Sequence, residues 1–312
     1  MTSVGMTSIG IDLGGTKIQG VVVKGGEVAA DAKVATPTGG VDDVVAAIVA
    51  CVRRLGASSS APVGVGAAGV VETATGTLLQ APNLAGFEGP VPLGPLLADA
   101  LGTEVTVDND ANAAVLAEHL MGAGRGSEDL LGVWIGTGIG GGLVLDGRLR
   151  RGPGGGAGEI GHMSLVGSHR VCPCGMVGHL EAVAGRAAME AEARRRHAAG
   201  TPTLMVELAG DKRMKSSVFA KALAAGDVVV SDLLDEAVAA LGSVIASAAT
   251  LLDLDRVVVG GGLAEKLGAS FVGRIEQAVR SRLFVRASSL RVIPTELGDL
   301  GGALGAARLP ES

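Results

Sequence analysis

One pattern occurs twice in this chain and limits its fold more than any other: a β-strand, a glycine turn and a second strand, then another turn and a third strand. The first copy covers residues 8–35, as IGIDL, a turn at Gly14 and Gly15, KIQGVVV, a turn at Gly25 and Gly26, and EVAADAKVA. The second restarts at Leu130 as LLGVWIGTGIGGGLVLDGRLRRG, with a tight turn at Asp146 and Gly147. Each copy reads as an antiparallel meander. The two share no short fixed period, which excludes a solenoid. Two related lobes are expected, each opening with a hairpin whose glycine tip faces a cleft. A length of 312 residues suits two domains.

Between the copies, DDVVAAIVACVRRL is an amphipathic helix opened by Asp42 and Asp43. PVGVGAAGVV reads as a buried strand, and EVTV as a short strand leading into a helix over 111–121. From about residue 179 the pattern is helical, over 180–198, 216–225, 230–252 and 263–283, with the strand RVVVGGG before the last. A glycine-rich tail helix starts at Asp299, and 200–215 is the least patterned stretch. Strands interleaved with helices predict an α/β protein with a helix-covered sheet in each lobe.

Several function classes are disfavoured by composition. A net charge of −6 offers no basic stripe for nucleic-acid phosphates, and the run Arg194 to Arg196 reads as the solvated face of a helix. The most membrane-like stretch, Ala237 to Leu252, is sixteen residues and contains Ser and Thr, so it is expected as a buried helix rather than a membrane contact. The opening residues MTSVGMTSIG lack the basic and apolar regions of a secretory signal, which predicts a cytoplasmic protein. Three cysteines make no disulfide framework. Cys51 falls on the apolar face of its helix with Val44, Ile48, Val52 and Leu55, as a small core residue.

The glycine turns carry the chemistry. Asp12 to Lys17, DLGGTK, sits between two strands, whereas the Walker and dinucleotide-binding loops both open a helix. What remains is a hairpin tip where Gly14 and Gly15 bring backbone N–H groups to phosphate oxygens, Thr16 adds a hydroxyl and Lys17 a positive charge. Asp12, at the strand end, is suited to Mg2+ through its water shell. Thr137 and Gly138 head the second turn, and Gly261 and Gly262, after the strand VVV and before a helix, suit a nucleoside. Each turn alone could be a tight hairpin without a ligand; all three at these intervals point to a nucleoside triphosphate.

The motifs DLGGTK, APNLAGF, DNDANAA, GTGIGGG, GEIGHMSL, CPCG..GHLE and VVVGGG, in this order along most of the chain, resemble the ROK family (repressor, open reading frame, kinase). The look is nearest to its glucokinases. The resemblance implies the two-lobed actin-like ATPase, ribonuclease H-like sugar kinase fold with a cleft between the lobes. The N-terminal lobe would take residues 1–110, completed by a C-terminal helix over 298–312, and the larger C-terminal lobe 111–297, with a zinc-site insertion near 162–181. It further implies ATP-dependent phosphorylation of a hexose, glucose to glucose 6-phosphate at the start of glycolysis. Kinases of fructose, N-acetylmannosamine, N-acetylglucosamine or an amino sugar, and a non-catalytic sugar sensor, are the alternatives. The first strand begins near residue 8, which leaves no room for the helix-turn-helix of the family's repressors. Family members are commonly dimers or tetramers.

Phosphoryl transfer needs a carboxylate beside the acceptor hydroxyl, and Asp110, at the junction of a strand and a helix, is the expected base. Its other reading is an N-cap aspartate. Asp108, two residues earlier, does not align with the motif. By resemblance, Asn83, Asn109, Asp110, Glu159, His162 and Glu181 ring the sugar, with Glu159 and Glu181 alternatively standing behind it. His162, Cys172, Cys174 and His179 follow the family's structural zinc spacing, H-x9-C-x-C-x4-C, except that His179 replaces the last cysteine. A Cys2His2 set still suits Zn2+ and neutralises its charge. Two thiols and a solvated histidine without metal are the other reading, and His169 lies in the loop but outside the motif.

Overall fold

The structure, a computed structural model, describes residues 7–58, 60–81 and 84–312. The chain forms two compact units, one of residues up to Gly126 with 142–157 and 296–312, the other of 127–141 and 158–295. This division differs from the sequence reading, which drew its boundary after 110. The helix that begins at Asp110 and the second turn-and-strand segment, 142–157, both fall in the first unit.

The first meander forms as β1 (Thr7–Leu13), β2 (Lys17–Lys24) and β3 (Glu27–Ala35). After α1 (Val41–Arg54), β4 (Val63–Ala67) returns parallel to β1. A small hairpin of β5 (Val70–Glu72) and β6 (Thr77–Gln80) and then α2 (Leu93–Leu101) precede β7 (Val105–Asn109), parallel to β4, and α3 (Asp110–Met121). The second meander is β8 (Leu130–Ile135), β9 (Ile139–Leu145) and β10 (Arg148–Leu149). It is followed by α4 (Glu181–Ala184), α5 (Arg186–Ala198), α6 (Leu204–Ala209), α7 (Ser216–Ala224) and α8 (Val228–Leu252). Then come β11 (Arg256–Gly260), α9 (Gly262–Arg280), β12 (Arg291–Pro294) and α10 (Gly301–Ala306). The sheets run β3-β2-β1-β4-β7 and β10-β9-β8-β11-β12. Each is a meander extended by two strands that arrive after helices, so the repeat in the sequence is a repeat of topology.

In the first unit, Ile9, Ile11 and Leu13 of β1 pack with Val44, Ile48 and Cys51 of α1 and Leu93 and Leu97 of α2. Each such aliphatic side chain, fully buried, contributes roughly 1.5–3 kcal/mol. Val21 and Val23 of β2 pack instead with Ala117 of α3 and with Ala303, Leu304 and Ala307 at the chain's end. Close approach is possible because β1 and β4 carry glycine here. A Cβ on Gly10 would lie 1.9 Å from the Ala303 carbonyl oxygen, and one on Gly64 1.8 Å from that of Ala306. The same contact brings Gly302 against the carboxylate of Asp12.

In the second unit β8 and β11 are parallel and pair Trp134 with Gly260. The apolar run 237–252 lies inside α8, whose start is capped by Asp227 Oδ1 accepting the Val230 N–H at 3.0 Å. Leu233, Leu234, Leu241 and Ile245 are buried on it. Among the described residues no helix is long and apolar enough to cross a membrane. Arg194, Arg195 and Arg196 pair with Glu190, Glu192 and Asp232.

Four elements were not foreseen: β6, α2, α6 and β12. The helix expected over 180–198 breaks at Gly185, whose extended φ of −68° and ψ of 140° separates α4 from α5. The helix expected over 263–283 kinks at Gly268, φ 75°. The strand expected from PVGVGAAGVV ends at Ala67 and restarts as β5 beyond Gly69, φ 148°. Sequence periodicity reads through a single glycine; the backbone uses it to change direction.

Candidate active site

In the first unit the turn after β1 is closed by Gly14 N–H donating to the Lys17 carbonyl at 3.0 Å. Thr36, just past β3, secures it from the side, its hydroxyl donating to Gly14 O at 2.6 Å and its N–H to Thr16 O at 3.2 Å. Gly15 and Thr16 are left exposed. Lys17 Nζ lies 3.6 Å from Asp299.

Asp12 stands behind this turn, and burial is the main cause that pushes its carboxyl up from 3.8 to about 6. Asp110 adds to the shift, Lys17 opposes it, and Asp299 adds again. Asp110 is raised as well, first by burial and against the pull of the Ala111 N–H, which donates to its Oδ1 at 2.9 Å. Two carboxylates raised mainly by burial, with Asp110 adding to the shift of Asp12, are chemically suited to a cation such as Mg2+.

The junction of β7 and α3 assigns its three polar residues separate tasks. Asn109 is the N-cap: its Oδ1 accepts from Ala111 N at 2.8 Å and Asn112 N at 3.1 Å, while Nδ2 donates to Gly69 O at 2.9 Å. Asp108 is 1 % exposed and accepts from Asn109 N, Asn112 Nδ2 and Arg151 Nε at 2.7, 2.9 and 2.6 Å. Asp110 follows as the first residue of the helix, so the capping role weighed for it belongs to Asn109. Asn83 lies outside the described residues.

The second unit holds the second turn. Gly138 has no room for a side chain, since a Cβ there would lie 2.0 Å from Glu181 Oε2. That oxygen accepts the Ile139 N–H at 2.7 Å, and Oε1 lies 3.9 Å from Cys172 Sγ. Glu181 is thus engaged beneath the turn. Arg186 and Arg213 each donate to Thr137 Oγ1 at 2.8 Å. Sequence reasoning missed both arginines; only the position of Arg186, next to Gly185 and one turn beyond the CPCG..GHLE segment, could have drawn attention to it. Gly261 caps α9 against the Ile135 backbone, and Gly262 faces the Ser216 hydroxyl.

His162, Cys172, Cys174 and His179 converge in the same unit, with one ligand atom from each all within 4.8 Å of one another. His162 Nδ1 and His179 Nδ1 are 3.3 Å apart, Cys174 Sγ and His179 Nδ1 3.2 Å, and Cys172 Sγ and His162 Nδ1 3.9 Å. A tetrahedral ion with metal–N of about 2.0–2.1 Å and metal–S of about 2.3 Å has N–N edges near ~3.3 Å and N–S edges near ~3.5 Å. The four side chains therefore fit Zn2+. The loop that carries them is closed by Cys172 N–H to Met176 O and Gly175 N–H to Cys172 O, both 2.8 Å. His169 is not part of the cluster. Burial pushes the Cys172 thiol up to about 11, with Cys174 and Glu181 adding to it, so a metal ion here must displace a proton. Glu159 precedes the short 3-10 turn Ile160–His162 and accepts the His162 N–H on its carbonyl at 3.0 Å.

The chain is similar to known proteins along nearly all of its length. A glucokinase of Streptomyces coelicolor is 35 % identical over 313 residues, covering 97 % of this chain and 96 % of that one. An N-acetylmannosamine kinase of Vibrio cholerae is 31 % identical over 280 residues, covering 89 % and 90 %. The crystal structure of a ROK family glucokinase from Streptomyces griseus in complex with glucose and AMPPNP superposes with a TM-score of 0.82 at 33 % identity, covering 97 % and 98 %. The ROK family model matches residues 8–312, and the chain belongs to the ROK family, with the two-lobed actin-like ATPase fold of its sugar kinases.

Proposed function

We propose that this chain is an ATP-dependent hexose kinase that converts glucose to glucose 6-phosphate. The observation that carries the reading is the β7–α3 junction. Asn109 caps the helix and Asp108 is tied to Arg151, which leaves the Asp110 carboxylate as the one acidic group there without a structural task beyond its own helix turn. Asp110 would accept the proton of the sugar hydroxyl. Asp12 would hold Mg2+, whose charge offsets that of the phosphates. Gly14, Gly15, Thr16 and Lys17 of the first unit, and Thr137, Gly138, Gly261 and Gly262 of the second, would bind the nucleotide.

For the sugar, Asn83, Asn109, Glu159, His162 and Glu181 remain the proposed contacts. Asn109 and Glu181 already hold backbone groups, and each would meet the sugar with its remaining valences. Zn2+ in the His162, Cys172, Cys174, His179 set would act as a structural ion that fixes the loop. With Nδ1 of His162 toward the cluster, its Nε2 is left for a sugar hydroxyl.

A coupled assay with Mg-ATP and a panel of glucose, fructose, N-acetylmannosamine and N-acetylglucosamine tests the reading. Glucose is expected to give the highest kcat/KM. The Vibrio cholerae relative makes N-acetylmannosamine the second choice. If no sugar is phosphorylated while one raises the melting temperature, the chain is a sensor and not a kinase.

A further inference from the structure

Two positive charges meet at one neutral oxygen in the second glycine turn. Arg186 Nη2 and Arg213 Nη2 both donate to Thr137 Oγ1, each at 2.8 Å. Arg186 is 9 % exposed and opens α5; its N–H donates to Gly136 O at 3.1 Å, and its Nη1 to the Met214 carbonyl. Arg213 is exposed and reaches the turn from the segment before α7.

Among the described residues neither guanidinium has a carboxylate partner. Glu190, one turn along α5, gives Oε1 to Arg194 and Oε2 to the Met214 N–H. Burial first, and then Arg213, hold the Arg186 guanidinium below its ordinary value, with Glu190 only partly opposing. A buried charge facing a like charge is unfavourable unless an anion joins it. A threonine hydroxyl accepts two hydrogen bonds and donates one, so with both acceptor sites taken its proton is left to donate. Two guanidinium forks and one hydroxyl donor around a glycine turn form a set complementary to phosphate oxygens.

We infer that Arg186 and Arg213 bind the phosphate chain of the nucleotide at Thr137 and Gly138, so that this turn recognises its anion through two arginines as well as through backbone N–H groups. The inference rests on the proposed nucleotide site, but its test does not depend on sugar turnover.

The full-length chain is titrated calorimetrically with Mg-AMPPNP and, separately, with adenosine, as the wild type, Arg213→Ala and Arg186→Gln. Loss of a charge-assisted hydrogen bond is expected to weaken AMPPNP roughly ten- to a hundredfold. Adenosine affinity and, for Arg213→Ala, the melting temperature should stay unchanged. Arg186 is buried and its variant can fail to fold; Arg213→Ala, exposed and making a single bond, then decides alone. AMPPNP affinity within twofold of wild type in Arg213→Ala overturns the inference, as does an equal loss for adenosine or a wild type that takes up no AMPPNP. A chain that loses AMPPNP selectively in these variants yet phosphorylates no hexose would sink the kinase reading and leave this one standing.

Discussion

Glu181 accepts the main-chain N–H of Ile139 at 2.7 Å and fills the space where a side chain on Gly138 would stand. One carboxylate thus holds the second glycine turn in shape, and its other oxygen lies beside Cys172 of the metal cluster. Glu181→Ala should leave the Ile139 N–H unsatisfied, at a cost of about 1–3 kcal/mol. Glu181→Gln keeps an acceptor oxygen of the same reach and should lose far less. Thermal denaturation of the two variants checks the difference, and the nucleotide KM should rise more in the alanine variant. Equal melting temperatures would show that the turn does not depend on this carboxylate.

The metal cluster predicts one zinc per chain in protein purified without chelator, measured by inductively coupled plasma analysis. Removing the ion should lower the melting temperature and raise the hexose KM, because His162 belongs to the cluster and Glu181 lies against Cys172. His179→Cys, which restores the commoner ligand spacing, should keep the zinc, since thiolate and imidazole both suit it. Absence of stoichiometric metal from wild type and from His179→Cys alike would remove the structural-zinc reading.

Asp12 carries a stability penalty with a defined pH window. Its folded carboxyl titrates near 6 against an ordinary 3.8, so the protonated form is the one the nucleotide-free fold favours. That contribution is fully present below pH ~4 and is lost as pH rises through ~6. Asp12→Asn, of the same shape and without charge, should therefore be more stable than wild type at pH 7.5 by on the order of 2 kcal/mol and melt higher, while the two converge near pH 4. The variant should also lose its response to Mg2+. A lower melting temperature for Asp12→Asn at pH 7.5 would show that the carboxylate stabilises the fold instead.

Much of this was legible in the sequence because glycine turns between strands leave few alternatives. The duplicated meander and the helices around Val44 and Ile48 and around Leu241 follow from local spacing, while the four residues of the metal cluster come from the resemblance to the ROK family. What was not legible depends on contacts between distant segments. Arg213 lies 76 residues from Thr137, and Glu181 42 residues from Ile139, with no local periodicity to link them. The strand β6 is too short to show alternation, and β12 has only four residues, so neither carries a periodic signal. The helix breaks at Gly185 and Gly268 are set by backbone angles that a run of apolar residues does not encode.

The pair Asp108 and Asp110 offers the sharpest division between structure and chemistry, since the two carboxylates are two residues apart on the same junction. Asp108 is buried, and its oxygens are taken by Arg151, Asn112 and the Asn109 N–H. Replacing it by Asn leaves Arg151 without its counter-charge, a loss on the order of 3 kcal/mol, and should lower the melting temperature strongly. Residual folded protein should keep a near-normal hexose KM and much of its turnover. Asp110→Asn removes no comparable contact, because Asn109 caps the helix and an amide oxygen can still accept from Ala111. Its melting temperature should stay the same or rise, since burial disfavours the Asp110 charge. Its kcat should fall by on the order of a thousandfold with sugar binding retained. Turnover and melting temperature measured on both variants decide the assignment: near-normal turnover in Asp110→Asn, or a turnover collapse in Asp108→Asn without loss of stability, would place the base on the wrong carboxylate.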